Sequence, residues 1–201
     1  MQAYPHFSKR QVEILDGIWD FHFLGEDADV NKIDLKKISY DEIMPVPGVF
    51  DATPKYPGKR GAALYRKIVS AAPNTRMKLK IGGLGLWAKV FWDGKDVGTI
   101  DLLYSGVELE FKSGKGNEHE LVILIDNRLD FKRTPLFSQY YDFYGYGGIY
   151  RSVELHQLPE CSIERARIKT LDISTGRIAV DIELSGKIRI VTGKQIGRAH
   201  V

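Results

Sequence analysis

The sequence predicts an all-β chain, an antiparallel β-sandwich with a second β-domain begun after it. Three observations point there: short segments of strand character, turn residues between them, and almost no helical periodicity. Trp19 to Leu24 alternates and stops at Gly25. Leu64 to Val69 is β-rich and stops before Pro73-Asn74. Leu86 to Trp92 leads into Asp93-Gly94, a two-residue hairpin signal, and then into Val97. Val107 to Phe111 sets apolar residues against Glu108 and Glu110 and breaks at Ser113-Gly114-Lys115-Gly116. Leu121 to Ile125 is continuously apolar, as expected of a strand buried on both faces. Tyr150 to Leu155 alternates again. The one helix candidate, Asp29 to Ile38, has poor apolar spacing.

A boundary is expected near Pro159. Beyond it, Ile163 to Ile168, Arg177 to Leu184 and Lys187 to Val191 read as opening strands of a second domain over 159–195. That stretch is too short to close a sandwich of ~100 residues. Ile196 to Val201 can be encoded by a common sequencing-adapter sequence. Residues 196–201 are therefore read as adapter read-through and kept out of fold reasoning.

The chain has 201 residues, 43% of them hydrophobic, enough for a real core. Its 29 basic and 26 acidic residues leave a net charge of +3 without any run of one sign. Nucleic acid and membrane surfaces are thus not expected partners. No apolar stretch approaches membrane-spanning length. Met1 to His6 lacks a basic region followed by an apolar run, so no signal peptide is expected and the cytoplasm is favoured. A lone Cys161 makes no internal disulfide. His6, His22, His119, His156 and His200 have no ligand spacing, so neither a metal nor another cofactor is expected. Gly82-Gly83-Leu84-Gly85 leads into a β-pattern where a phosphate cradle needs a helix, and reads as a bent strand or a close backbone approach.

Asn127 to Gly148 stands apart. It is a long connection between two strands, and such connections usually have a purpose. It holds Phe131, Phe137, Tyr140, Tyr141, Phe143, Tyr144 and Tyr146 with the carboxylates Asp130 and Asp142. Aromatic faces pack against the C–H faces of a sugar or bury a domain interface, and a carboxylate accepts from neighbouring hydroxyls. Composition leaves both uses open.

The run Asp142-Phe143-Tyr144-Gly145-Tyr146-Gly147-Gly148-Ile149-Tyr150-Arg151-Ser152-Val153 resembles the end of the N-terminal sugar-binding domain of family 2 glycoside hydrolases. β-Glucuronidases carry a similar Asp-Phe-Phe-Asn-Tyr-Ala-Gly-Ile-x-Arg-Ser-Val run there. Leu15 to Phe21, Val46-Pro47-Gly48, Ala63 to Lys67 and Lys89 to Gly98 resemble other parts of that domain in the same order, so the likeness covers about residues 12 to 158. It implies a jelly-roll, galactose-binding-domain-like sandwich over 1–158, and then the start of an immunoglobulin-like one. The parent enzyme would be a retaining β-glucuronidase or β-galactosidase whose catalytic glutamates lie on a (β/α)₈ barrel outside this chain. The chain itself would carry no catalytic residue and be inactive alone. Asp142 would hydrogen-bond a sugar hydroxyl, and Tyr144, Tyr146 and Arg151 would support the loop. The implied partners are a β-glycoside and the barrel domain, with the oligomeric state left open. Gly145 and Gly147 depart from the family's asparagine and alanine. The alternatives are a stand-alone carbohydrate-binding module and a purely structural sandwich.

Overall fold

A computed structural model describes residues 11–101, 104–130, 133 and 144–186. The strand expected over 187–191, the tail 196–201 and most of the aromatic excursion, Asp142 included, lie outside the described residues.

Fourteen strands are described: β1 (Gln11–Ile14), β2 (Gly17–Gly25), β3 (Glu42–Val46), β4 (Gly48–Val49), β5 (Ala62–Ser70), β6 (Arg76–Ile81), β7 (Trp87–Trp92), β8 (Lys95–Ile100), β9 (Val107–Lys112), β10 (Glu118–Asp126), β11 (Gly148–Ile149), β12 (Val153–Leu158), β13 (Cys161–Asp172) and β14 (Arg177–Gly186). The only helical pieces described are two single 3-10 turns, Leu35–Lys37 and Phe50–Ala52. An all-β, antiparallel sandwich is what forms.

One sheet has the order β3-β2-β5-β10-β7-β8 and the other β1-β12-β6-β9. A core lies between them. Trp19, Phe21, Tyr65, Val90 and Ile123 come from the six-stranded sheet, and Met77, Leu79, Ile81, Val153 and Leu155 from the four-stranded one. The alternation of β2 follows from this, since Trp19 and Phe21 are buried while Ile18 points out. β10 is paired on both sides, with β5 and β7. Its odd-numbered residues Leu121, Ile123 and Ile125 join the central core, and Val122 and Leu124 join a second cluster on the other face. The continuous apolar run is therefore a strand covered twice.

That second cluster corrects the helix expectation for Asp29 to Ile38. Val30, Ile33, Leu35 and Ile38 pack with Leu64, Trp87, Val122 and Leu124. Their spacing serves an irregular cover laid over the outer face of the six-stranded sheet, which needs no helical period. The expected strand Tyr150 to Leu155 is also displaced. Pairing starts at Val153, because Tyr150 and Arg151 both donate their N–H to Gly83 O instead.

The described chain divides into two compact units, one ending at Gln157 and one starting at Leu158. In the second, β13 and β14 pair antiparallel from Cys161↔Gly186 to Asp172↔Arg177, with irregularities near Ile163/Arg165 and Thr170/Asp172. Ile163, Ile168, Ile178, Val180, Ile182 and Leu184 share one face of this hairpin, and Arg165, Arg167, Asp181 and Glu183 the other. Cys161 is exposed.

Candidate functional site

The described ends of the aromatic excursion are fastened to the first sandwich by two separate polar clusters. At the entrance, Asp126 closes β10 and is buried. Arg128 donates to it from Nε (2.9 Å) and Nη2 (2.7 Å) and reaches the carbonyls of Glu26 and Ala28. The hydrogen bonds to Asp126 hold the Arg128 guanidinium above its usual pKa. Arg133 Nη1 lies 2.9 Å from the same carboxylate, its Nε donates to Asp130, and its guanidinium covers the Trp87 ring at 5.4 Å. Charge-assisted bonds of this kind outweigh neutral ones.

At the exit, Asp51 and Asn127 make a buried pair drawn from distant parts of the chain. Asn127 Nδ2 donates to Asp51 Oδ2 (3.0 Å) and Lys59 O (3.1 Å), and its Oδ1 accepts from Gly61 N (2.8 Å). Asp51 Oδ1 accepts from Gly147 N (3.1 Å). Burial pushes the Asp51 carboxyl above its ordinary pKa, while the bonds from Gly147 and Asn127 pull it back down. Gly147 O in turn accepts from Phe50 N (2.8 Å), and Gly148-Ile149 pair with Gly48-Val49.

On its other side the strap from Tyr146 to Ser152 lies against the glycine run. A Cβ on Gly85 would stand 1.9 Å from Tyr146 O, and one on Gly83 2.7 Å from the Tyr150 ring. The run is thus a close backbone approach, and Gly85 N donates to Gly148 O (2.9 Å). Arg151 Nη1 donates weakly, at 3.3 Å, to the carbonyls of Gly82 and Tyr104. Asp16 finishes the strap, accepting from Ser152 Oγ (2.8 Å) and Val153 N (3.0 Å).

Tyr144 and Tyr146 stand at the front of the strap, 43% and 49% exposed, with ring centroids 4.8 Å apart. Arg60 lies over Tyr144 at 4.4 Å and donates to the carbonyls of Tyr144, Gly145 and Asn127. A cavity of about 540 Å³ opens beside the far end of the strap, lined among others by Pro47, Lys80, Glu108, Arg151 and Glu154. Of its two cations, Lys80 is held by Glu108 at 2.7 Å and Arg151 faces the carbonyls of Gly82 and Tyr104, so the lining is of mixed charge.

The two departures from the glucuronidase run acquire physical reasons here. Gly145 has φ 68°, in the left-handed region that glycine and asparagine enter most readily, so either residue can turn the chain at that point. Gly147 has no room for alanine, because a Cβ would meet the Phe50 ring at 2.5 Å and Asn127 Nδ2 at 2.6 Å. Asp142 lies outside the described residues. Sequence reading named Tyr144, Tyr146 and Arg151 but missed Asp51, Arg60 and Asn127. An Asn directly after an apolar strand was the available hint for one of them.

The two-sheet antiparallel sandwich has a fold found in family 2 glycoside hydrolases. Solved structures that it resembles include two uronidases. A β-galacturonidase from Eisenbergiella tayi matches with TM-score 0.72 and 22% identity, covering 92% of this chain and 31% of that one. A β-glucuronidase from Ruminococcus gnavus matches with TM-score 0.73 and 23% identity, over 92% of this chain and 36% of that one. In sequence, the chain is 31% identical over 132 residues to a candidate β-glucuronidase of Formosa agariphila, covering 62% of this chain and 15% of that protein. The chain therefore spans about a third or less of the relatives it matches. No family model matches it.

Proposed function

We propose that this chain is the N-terminal part of a retaining β-glycosidase, of β-glucuronidase type, and that it supplies one wall of the active site without the catalytic barrel. The observation that carries this reading is the likeness to solved uronidases over 92% of the chain and only about a third of theirs. The Formosa relative supports a glucuronide over a galactoside as substrate.

In this reading the chemistry belongs to two carboxyl groups outside the chain, roughly 5–5.5 Å apart, that act as acid/base and nucleophile in a double displacement. Asp142 accepts a hydrogen bond from a hydroxyl of the sugar that is cleaved. Such bonds tighten as the ring takes on oxocarbenium character, so they lower the barrier as well as hold the substrate. What supports this role is that the residues following Asp142 in the sequence are anchored, Gly147 to both Asp51 and Phe50. The division of the chain into 1–158, the start of a second sandwich over 159–195, and the read-through tail 196–201 belongs to the same proposal.

The test is made on the complete gene product. It should hydrolyse aryl β-D-glucuronides in preference to β-D-galactosides. Asp142→Ala should lower kcat/KM by about 2–4 kcal/mol of transition-state stabilisation, roughly 30- to 1000-fold. Wild-type kinetics in that variant would remove Asp142 from the site, and a gene that continues without a barrel would remove the enzyme reading.

A further inference from the structure

We propose that Arg60 is a positioning residue of this site, tying Asn127, before the aromatic excursion, to Tyr144 and Gly145, after it. The inference rests on the reading that Asp142 meets the sugar.

The geometry is that of a staple. Nη1 donates to Asn127 O at 2.8 Å, before the excursion, and to Gly145 O at 2.8 Å, after it; Nη2 adds Tyr144 O. One guanidinium thus closes the gap between residues 127 and 144. All three acceptors are main-chain carbonyls, so the group supplies placement more than charge neutralisation. Its face is used as well, lying 4.4 Å from the centre of the Tyr144 ring. A planar fork with several donors can do both at once; a lysine, whose donors radiate from a single point on a flexible stem, cannot.

The base of the staple is itself held. Gly61, the next residue, donates to Asn127 Oδ1 at 2.8 Å, and a Cβ there would stand 2.5 Å from Gly25 O. From Gly147 onward the strap has its own anchors in Asp51 and Phe50. Arg60 therefore governs Tyr144 and Gly145 in particular, and Asp142 is two residues away, a chain span of at most ~7 Å.

Chymotrypsin on the 201-residue chain, with cleavage sites assigned by mass spectrometry, reads the staple directly. Arg60→Ala and Arg60→Lys should each raise the rate of cleavage after Tyr144 and Tyr146 by about tenfold or more, while the thermal transition of the core stays near wild type. Unchanged rates at those two sites would overturn the proposal. Wild-type rates in Arg60→Lys alone would do so too, by showing that charge suffices. If Arg60→Ala fails to fold, Arg60→Gln makes the same comparison. In the complete gene product, Arg60→Ala should lower kcat/KM about tenfold or more, and the double variant with Asp142→Ala should be no slower than Asp142→Ala alone. Additive losses would show that Arg60 acts elsewhere. If Asp142→Ala is itself without effect, the function proposed above falls, and the chymotrypsin rates still decide whether Arg60 holds the strap.

Discussion

Asp51 is pulled two ways at the exit of the strap. Burial disfavours its charged form, and the bonds from Gly147 N and Asn127 Nδ2 favour it; the balance leaves its pKa raised from the ordinary 3.8. A carboxyl whose folded pKa exceeds its unfolded one contributes stability that is complete below the unfolded value and is lost as pH rises through the folded value. Asp51→Asn should cost about 1–3 kcal/mol, because an amide placed there sets one donor against another, at either Asn127 Nδ2 or Gly147 N. The difference between wild type and variant should be larger near pH ~4 than near pH ~7, since only the wild type loses this contribution on the way up. Urea unfolding at both pH values measures it. A gap that widens toward neutral pH would mean that hydrogen bonding, not burial, dominates. The carboxylates of Glu108 and Glu42, lowered by Lys80, Lys78 and Lys55, slope the other way, but they are common to both proteins and cancel in the comparison.

Among the described elements, the β13–β14 hairpin has the composition that most asks for a partner. Ile163, Ile168, Ile178, Val180, Ile182 and Leu184 are between 42% and 71% exposed, and all lie on one face. The opposite face balances itself, with Arg165 opposite Glu183 and Arg167 opposite Asp181. A two-stranded ribbon is marginal in water, and an aliphatic patch of this kind marks an unfinished core or a contact surface. The chain should therefore self-associate on concentration, and Ile168→Thr with Ile182→Thr should return it to a monomer while leaving β-propensity intact. Light scattering reads the mass; a wild-type chain that stays monomeric at high concentration would refute this. The strands were legible in the sequence where one face or both faces are apolar, as in β2, β10 and the Asp93-Gly94 turn. β6, Arg-Met-Lys-Leu-Lys-Ile, alternates as well, with Met77, Leu79 and Ile81 in the core, but what its lysines do shows only once Lys78 and Lys80 meet Glu108 and Glu110 across β9. The site divides in the same way. The aromatic run announced itself by composition, whereas Asp51 and Asn127, 76 positions apart, carry no local sign that they share a hydrogen bond.

For the molecule as a whole, the first sandwich has the contents of an independent folding unit. Every residue of its two apolar clusters lies between Leu15 and Leu155, and Trp19, Trp87 and Trp92 are all buried in them. A chain ending at Leu158 should unfold in one cooperative transition visible in tryptophan fluorescence. It should also be chemically and adhesively silent. A monosaccharide is held by walls that enclose most of its surface, and one anchored strap with two half-exposed tyrosines encloses little of it. Titrating that chain with glucuronic acid and with galactose should give no saturable signal, and no aryl glycoside should be hydrolysed. Saturable binding of either sugar would show that the sandwich recognises carbohydrate by itself, as a stand-alone module does. The role of Asp142 would then have to be sought within this domain, not at a boundary shared with a barrel.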